Sequence, residues 1–286
     1  MDGRIAASPL SSIRLVALDI DGTLLRSDRT LSPRTREAIA RVRARGVRVV
    51  LVTGRRHPSA RRVADELGEG LPLVVHNGAI VVEDGSIIRC RPLARDVAAR
   101  AIVAGRARGM EPILHCGSRG EGFLLVDARA RPAGLVGYYL DRAREELRMV
   151  EDVLEALARE EPIQVMFGGA LAEMEDLVGS LAPALRGAAR LERTVYPASD
   201  FALVDVLDPG VGKADALAFL QQRWGITAAE TLAIGDNWND RSMLEAAGCG
   251  LLMGNAPSEL LKLGLPVLPT NDEDGVAHAI ETHVLG

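Results

Sequence analysis

The most distinctive part of the hydrophobic pattern is a short apolar run that ends in two acidic residues. Leu15–Leu18 is followed by Asp19 and Asp21, and Gly22 comes directly after the second acid. A continuous apolar run of this length is typical of a strand buried in a parallel sheet. Residues two apart on an extended chain point the same way, so we expect both carboxylates to face one site. They would repel each other unless a cation or a proton separated them, although an ordinary acidic turn has the same pattern.

The pattern then alternates between helix and strand. Ser32 and Pro33 are typical of a helix start, and the apolar stripe that follows ends near Gly46. Strands are predicted at 47–52 and 73–75, with a short helix at 58–67 between them. This β-α-β-α-β order predicts an α/β fold with a doubly wound parallel sheet. Ligands of such sheets bind at the carboxyl ends of the strands, where Asp19, Thr53 and Asn77 lie.

The alternation of predicted strands and helices stops near residue 84 and resumes near residue 204. Apolar segments at 80–82 and 87–90 flank Glu83–Ser86, which is a hairpin signal. Further segments favour helices at 93–108, 135–147, 150–160 and 170–182, and strands at 111–116, 122–127, 162–167 and 188–195. We therefore expect a discontinuous core domain, 1–83 and 205–286, into which an α+β domain, 84–204, is inserted.

The alternating pattern returns in the last third of the chain. Lys213 opens a predicted helix that runs to about Trp224. The segment Thr231–Gly235 is a predicted strand, and Asp236, Asn239 and Asp240 follow it. Asp236 and Asp240 could serve only as the N-cap and first-turn acids of the next helix. Thr53 and Asn77 could likewise serve only their turns.

Composition and charge narrow the function classes. The net charge of −5 provides no basic surface for nucleic acid. No apolar run approaches the ~20 residues that span a bilayer. Residues 1–12 resemble a loose leader, and they lack the pattern of a signal peptide. Cys90, Cys116 and Cys249 are scattered, without metal-ligand spacing, which favours a reduced, cytoplasmic protein. Lys213 is notable because the chain has only one other lysine, Lys262.

Four motifs, taken in order, resemble those of the haloacid-dehalogenase-like (HAD) superfamily. They are Asp19-Ile20-Asp21-Gly22-Thr23, Thr53-Gly54-Arg55, Lys213 and Gly235-Asp236-Asn237-Trp238-Asn239-Asp240. The insert at 84–204, with Asn77-Gly78-Ala79, Met253-Gly254-Asn255-Ala256 and the segment 271–276, is similar to the Cof-type branch, whose cap is of the C2 (IIB) type. The resemblance covers essentially the whole chain. It implies a Rossmann-like HAD core with an inserted α+β cap and an active site between them.

The resemblance also implies catalytic roles. Asp19 would attack phosphorus and form an aspartyl-phosphate, which divides one difficult hydrolysis into two easier steps. Asp21 would protonate the leaving alcohol and then activate water. Thr53 and Lys213 would bind the transferring phosphoryl oxygens.

Ligand sets follow from the same resemblance. The implied cofactor is Mg²⁺, which prefers oxygen ligands. Its implied ligands are Asp19, the backbone carbonyl of Asp21, Asp236 and Asp240. The residues implied in substrate binding are Thr53, Gly54, Arg55, Asn77 and Asn239.

The sequence therefore predicts a Mg²⁺-dependent phosphoric monoester hydrolase that acts on a small phosphorylated metabolite, with a sugar phosphate as the first candidate. A phosphotransferase or phosphosugar mutase on the same scaffold is one alternative, and Asp21 fits both. A non-catalytic phosphate-binding protein is another, but such a protein has no need of both Asp19 and Asp21. The expected partner is a small molecule, with neither nucleic acid nor membrane. The oligomeric state cannot be predicted.

Overall fold

The computed structural model describes residues 13–130 and 134–286, so the expected leader at 1–12 lies outside the described residues. The strands are β1 Leu15–Leu18, β2 Arg48–Val52, β3 Leu73–Val75, β4 Ile80–Glu83, β5 Ser86–Cys90, β6 Ile113–Cys116, β7 Leu124–Asp127, β8 Leu147–Val150, β9 Pro162–Gly169, β10 Arg190–Tyr196, β11 Phe201–Leu207, β12 Thr231–Gly235 and β13 Cys249–Leu252. The helices are α1 Pro33–Ala44, α2 His57–Asp65, α3 Arg95–Arg106, α4 Gly134–Arg142, α5 Val153–Ala156, α6 Leu171–Leu185, α7 Lys213–Trp224, α8 Arg241–Ala246, α9 Ser258–Leu261 and α10 Gly275–Ile280.

The chain divides into two compact units. One takes in Met1–Leu51, of which residues 13–51 are described, with Leu217–Asp236 and Asp240–Gly286. The other takes in Val52–Ala216 and Asn237–Asn239.

The first unit contains a parallel sheet with the strand order β13-β12-β1-β2. From β1 the chain passes through α1 to β2 on one side, and from β12 it passes through α8 to β13 on the other. Because such crossovers are right-handed, the two helices cover opposite faces of the sheet. The strand order thus reverses between β1 and β12, and such a switch point is where doubly wound sheets bind ligands.

Helix α1 shows how the local sequence specifies this unit. The Ser32 hydroxyl caps the helix by accepting the Thr35 N–H at 3.0 Å, and Pro33 occupies the first turn. Thr35, Ala38, Ile39 and Val42 are the buried residues of the helix. Their spacing places them on one face, as expected for a helix that packs on a sheet.

The second unit contains the antiparallel strands β3, β4 and β5 and a separate six-stranded sheet with the order β10-β11-β9-β6-β7-β8. Helices α3 and α6 pack on one face of the six-stranded sheet, in a core that includes Leu114, Val165, Val204 and Val206. Because side chains alternate along a strand, the neighbouring residues His115, Gln164 and Asp205 lie on the opposite face. All three are buried polar residues.

Strand β11 was not predicted from the sequence. It pairs with both β10 and β9, and it extends across residue 204, where the inserted domain is expected to end. A domain that contains the whole of this strand must continue at least to Leu207. The predicted division of the chain into 1–83, 84–204 and 205–286 therefore stays a prediction, and its second boundary would cut β11. Strand β8 was also missed, and of the helix expected at 150–160 only α5 forms.

Candidate active site

The first unit brings three of the predicted metal ligands together. Asp19 follows β1, Asp236 follows β12 and Asp240 precedes α8. Their carboxylate oxygens lie within 4.8 Å of one another, and all three side chains are buried. Unit charges at this separation repel by roughly 3 kcal/mol per pair at an effective dielectric constant of ~20. Three buried carboxylates in this arrangement therefore form a donor set that suits a hard cation.

Hydrogen bonds within the unit hold Asp236 and Asp240 in place. Thr23 donates its hydroxyl to Asp236 Oδ1 at 3.0 Å, and Asp240 Oδ2 accepts the Asp236 backbone N–H at 3.0 Å. Asp240 makes no capping hydrogen bond to the described N–H groups of α8. The contacts observed for Asp240 thus support the cluster and not the simple helix-capping role that the sequence left open.

Gly22 is required beside this cluster by space as well as by conformation. Its φ is +79°, and a Cβ atom built on it would lie 2.3 Å from Asp236 Oδ2. Asn255 donates its side-chain N–H to the Gly22 carbonyl at 2.8 Å, and Asn255 Oδ1 accepts the Asn271 N–H. Asn271 in turn donates to the carbonyl of Leu25. The two late motifs that contain Asn255 and Asn271 therefore brace the loop after β1.

The Asp21 side chain is not part of the carboxylate cluster found among the described residues. Asp21 is exposed, and its backbone forms an isolated bridge with Leu25. An exposed carboxyl group can exchange protons with solvent, as a general acid and base must. The proposed metal contact of Asp21 uses its backbone carbonyl, so this placement leaves that prediction open.

The second unit contains the predicted substrate-binding residues. Thr53 and Asn77 are each 1% exposed, and Asn239 is 6% exposed. Asn239 Nδ2 donates to Asn77 Oδ1 at 2.9 Å, while the Asn77 backbone N–H donates to the Thr53 carbonyl at 3.0 Å. The structure thus connects three of these residues by hydrogen bonds.

The turn roles that the sequence left open for Thr53 and Asn77 are also present. Thr53 Oγ1 accepts the Arg55 backbone N–H at 3.1 Å. Asn77 adopts a left-handed conformation with a φ of +53°, which Asn tolerates better than most residues. Gly54 packs against the Asn77 amide, since a Cβ atom at Gly54 would lie 3.1 Å from Asn77 Oδ1. Arg55 is partly exposed.

Lys213 is 1% exposed and is the first residue of α7. A lysine is seldom fully buried unless its charge has a partner. Lys213 therefore departs from the usual position of a lysine, which is a solvated site at the surface.

A close approach between two backbone segments fixes the start of α7. Gly78 has a φ of +108°, and a Cβ atom on it would lie 2.3 Å from the Gly212 carbonyl oxygen. That carbonyl accepts the Ala216 N–H in the first turn of α7. Any side chain at residue 78 must therefore displace the turn that carries Lys213.

We expect Gly78→Ala to reduce both stability and turnover, because its methyl group would push on the segment that carries Lys213. The matched control is Gly85→Ala. Gly85 has a φ of +73°, but nothing lies within 4 Å of a Cβ atom there. Both variants bear the cost of a positive φ, about 1–2 kcal/mol, so chemical denaturation of the pair isolates the clash. Equal losses of stability and equal kcat values in the two variants would contradict this account.

One buried residue was not identified from the sequence. Asp205, on β11, is 4% exposed and accepts hydrogen bonds from Asn77 Nδ2 at 2.9 Å and Gln164 Nε2 at 2.8 Å. The only sequence signal is an acid inside an apolar run, Phe201–Leu207, and no strand was predicted there.

Comparison with known proteins places this geometry in a family. A sequence model described as haloacid dehalogenase-like hydrolase matches residues 16–280. The chain is 31% identical over 284 residues to an HMP-PP phosphatase of Cronobacter sakazakii. The aligned region covers 95% of this chain and 96% of the relative. The chain is 28% identical over 277 residues to the Bacillus subtilis 5-amino-6-(5-phospho-D-ribitylamino)uracil phosphatase YitU, with coverage of 94% and 97%.

The fold matches that of a solved HAD subclass IIB sugar phosphatase, BT4131. The TM-score is 0.76 at 22% identity, over 94% of this chain and 98% of the other. This match confirms the α/β core with an inserted domain. The family match and the phosphatase relatives confirm the expectation of a phosphatase enzyme at the level of the family. Because the family model covers nearly the whole chain, the protein belongs to the haloacid dehalogenase-like hydrolases.

Proposed function

We propose that the protein is a Mg²⁺-dependent phosphomonoesterase that hydrolyses a small phosphorylated metabolite through an aspartyl-phosphate. The observation that carries this proposal is the cluster of Asp19, Asp236 and Asp240 at the switch between β1 and β12. A phosphate ester repels anionic nucleophiles, so an attacking carboxylate needs positive charge close to it. The cluster provides the nucleophile and the ligands of a cation in one place.

The donor set fits Mg²⁺, because all of its members are carboxylate oxygens. Asp19, Asp236 and Asp240, with the backbone carbonyl of Asp21, would hold the ion. When bound, Mg²⁺ neutralises charge on the phosphoryl group and helps to orient it.

Separate side chains act as the nucleophile, as the acid and base, and as donors to the phosphoryl group. A carboxylate oxygen of Asp19 attacks phosphorus, and the bond from phosphorus to the alcohol oxygen breaks. Asp21 gives that oxygen a proton. It then takes a proton from water, which attacks phosphorus while the bond from phosphorus to the Asp19 oxygen breaks, so that inorganic phosphate is released and Asp19 is restored. The phosphoryl oxygens accept hydrogen bonds from the Thr53 hydroxyl, the Lys213 ammonium group and one amide N–H of Asn239.

The substrate that we propose first is a sugar phosphate. The names of two relatives add further candidate substrates, since one relative is named for HMP-PP and another for a phosphorylated ribitylaminouracil. In the part of the chain that the structure describes, none of the helices has the length and hydropathy of a membrane span. We place the enzyme in the cytoplasm, a proposal supported by the free thiols of Cys90, Cys116 and Cys249.

The test is phosphate release from a panel of sugar phosphates, phosphorylated polyols and pyrimidine phosphates, without any added acceptor. We expect release to stop in EDTA and to return with Mg²⁺. Ca²⁺ should support it poorly, because Ca²⁺ prefers a looser and higher coordination. Malachite-green detection of inorganic phosphate measures each condition.

The control is Glu37→Gln, which removes an exposed carboxylate on α1 and should need the same Mg²⁺ concentration as the wild type. Full turnover in metal-free buffer would refute the metal assignment. Phosphate transfer to an added sugar, without release in its absence, would identify a phosphotransferase or mutase instead.

A further inference from the structure

Four buried side chains form one chain of hydrogen bonds in the second unit. Gln164 Nε2 donates to Asp205 Oδ1 at 2.8 Å, and Asn77 Nδ2 donates to Asp205 Oδ2 at 2.9 Å. Asn239 Nδ2 donates to Asn77 Oδ1 at 2.9 Å. The chain therefore begins on the six-stranded sheet and ends at Asn239, to which the proposed function assigns a phosphoryl contact.

The carboxylate determines the direction of every bond in this chain. An ionised carboxyl group only accepts hydrogen bonds, so Gln164 and Asn77 must both turn their NH₂ groups towards Asp205. Asn77 then presents its oxygen to Asn239, and Asn239 must turn its NH₂ group towards Asn77. Gln164 Oε1 is buried, and no donor among the described residues meets it with normal hydrogen-bond geometry, although the His76 side chain interacts with Gln164. The poor geometry at this oxygen is the cost of keeping the NH₂ group on the carboxylate.

We propose that Asp205 is a positioning residue for phosphoryl transfer, and that its carboxylate, acting through Asn77, fixes which atoms of Asn239 are available to a phosphoryl oxygen. This inference rests on the proposed function of Asn239. With one N–H of its amide directed at Asn77, Asn239 keeps the second N–H for an anion. A reversed chain would leave Asn239 with a different set of donors and acceptors for the substrate.

The charge on Asp205 is sensitive to pH in the neutral range. Burial, and then the negative charge of Glu192, raises the pKa of Asp205 to about 7, although the hydrogen bond from Asn77 opposes this shift. Glu192 lies directly opposite Asp205 on β10. Glu192 itself forms an ion pair with Arg190 of the same strand. Tyr139 of α4 also has a charge interaction with Asp205; burial raises the pKa of Tyr139 to about 12, so it stays neutral. Gln164 and Asn77 do not titrate.

Protonation would remove the constraint on direction. Once protonated, Asp205 can donate its O–H, and Asn77 can then turn its oxygen towards Asp205 and its NH₂ group towards Asn239. Asn239 would have to rotate in response. Activity should therefore decline as the pH falls through the pKa of Asp205, because Asp205 then takes up a proton.

The first test is Asp205→Asn, which keeps the size of the side chain but replaces one acceptor oxygen by a donor. That donor would face the NH₂ group of Asn77 or of Gln164, so one of these amides must turn. We expect kcat at pH 8 to fall about 10- to 100-fold, the range associated with small misplacements of reacting groups. Because positioning is lost and binding charge is not, kcat should fall more than KM rises. The part of the acidic decline due to Asp205 should disappear.

The matched variant is Glu192→Gln, which leaves all four members of the hydrogen-bond chain in place. Its amide oxygen can still accept a hydrogen bond from Arg190, the ion-pair partner of Glu192. Removing the negative charge of Glu192 lowers the pKa of Asp205. The acidic decline should therefore move to lower pH, while kcat at pH 8 stays close to the wild-type value. A decline that stays at the same pH would overturn the role assigned to the Asp205 charge.

A measurement on the metal-free wild-type protein does not depend on activity. The side-chain NH₂ signals of Asn77 and Asn239 in ¹H–¹⁵N spectra should titrate with a shared midpoint near pH 7. The internal control is Asn237, whose amide is fixed by the backbone N–H and carbonyl of Val195 at 3.0 and 2.8 Å. Its signals should stay constant over the same range.

The results separate this inference from the proposed function. If no substrate releases phosphate but the amides of Asn77 and Asn239 titrate together, the proposed function fails while the directional chain stands. If the wild type is active and Asp205→Asn matches it at every pH, the positioning role is overturned. Should Asp205→Asn fail to fold, the amide titration and the Glu192→Gln profile decide the question.

Discussion

We expect Asp19→Asn to abolish phosphate release completely. The substitution removes the attacking oxygen and one of three negative charges in the cluster with Asp236 and Asp240. No phosphoenzyme should form, and mass spectrometry of protein quenched during turnover should show only the unmodified chain. Activity should stay below detection even with an aryl phosphate, because a good leaving group does not replace a missing nucleophile.

Thermal unfolding distinguishes a missing nucleophile from a damaged fold. In EDTA, Asp19→Asn should unfold at or above the wild-type temperature, since removing one carboxylate relieves the repulsion between buried charges. Mg²⁺ should raise the unfolding temperature of Asp19→Asn less than that of the wild type, because stabilisation by a bound ligand grows with the affinity for that ligand. Glu37→Gln, the exposed control on α1, should match the wild type in both assays. An active Asp19→Asn enzyme would exclude Asp19 as the nucleophile.

Asp21→Asn should have a different defect, although the residue is chemically identical to Asp19. Its exposed side chain is outside the buried cluster, and the substitution preserves the backbone carbonyl. We expect turnover to fall by about 10²–10⁴, the usual contribution of general acid–base catalysis. The loss in the rate of phosphoenzyme formation should be smaller for an aryl phosphate, whose leaving group needs little protonation. Stabilisation by Mg²⁺ should be unchanged.

Because water attack would still lack its base, the phosphoenzyme should accumulate in Asp21→Asn. A burst of aryl alcohol, followed by slow steady release, measures this accumulation. Peptide mapping should place the phosphoryl group on Asp19. An adduct on another residue, or steady turnover without a burst, would contradict the division of roles between the two acids.

The fold was predicted largely from the sequence, because its elements are specified locally. The apolar run Leu15–Leu18 forms β1, and Ser32 and Pro33 start α1 as expected. Lys213 opens α7, which ends at Trp224. The family assignment was also predicted and is confirmed. The roles of the individual site residues stay predictions, to be settled by the variants described above.

Some parts of the molecule could not be predicted because they depend on pairing between distant segments. Strand β11 carries an acid in the middle of an apolar run, and only its two antiparallel neighbours, β9 and β10, explain why it is a strand. Gly78 is required by the Gly212 carbonyl, which a local turn pattern does not reveal. The burial of Lys213 could not be predicted from the sequence either, since most lysines are solvated.

The sequence by itself determined the alternating strands and helices of the core, the acids that follow two of its strands and the family, since short-range patterns and motif order carry that information. The tertiary structure alone decided which polar groups meet. It gathers Asp19, Asp236 and Asp240 into one cluster and leaves the Asp21 side chain outside it. It also joins Asn77 to Asp205 across 128 positions and to Asn239 across 162. No local pattern encodes such contacts, because a hydrogen-bond partner is set by packing and not by spacing along the chain.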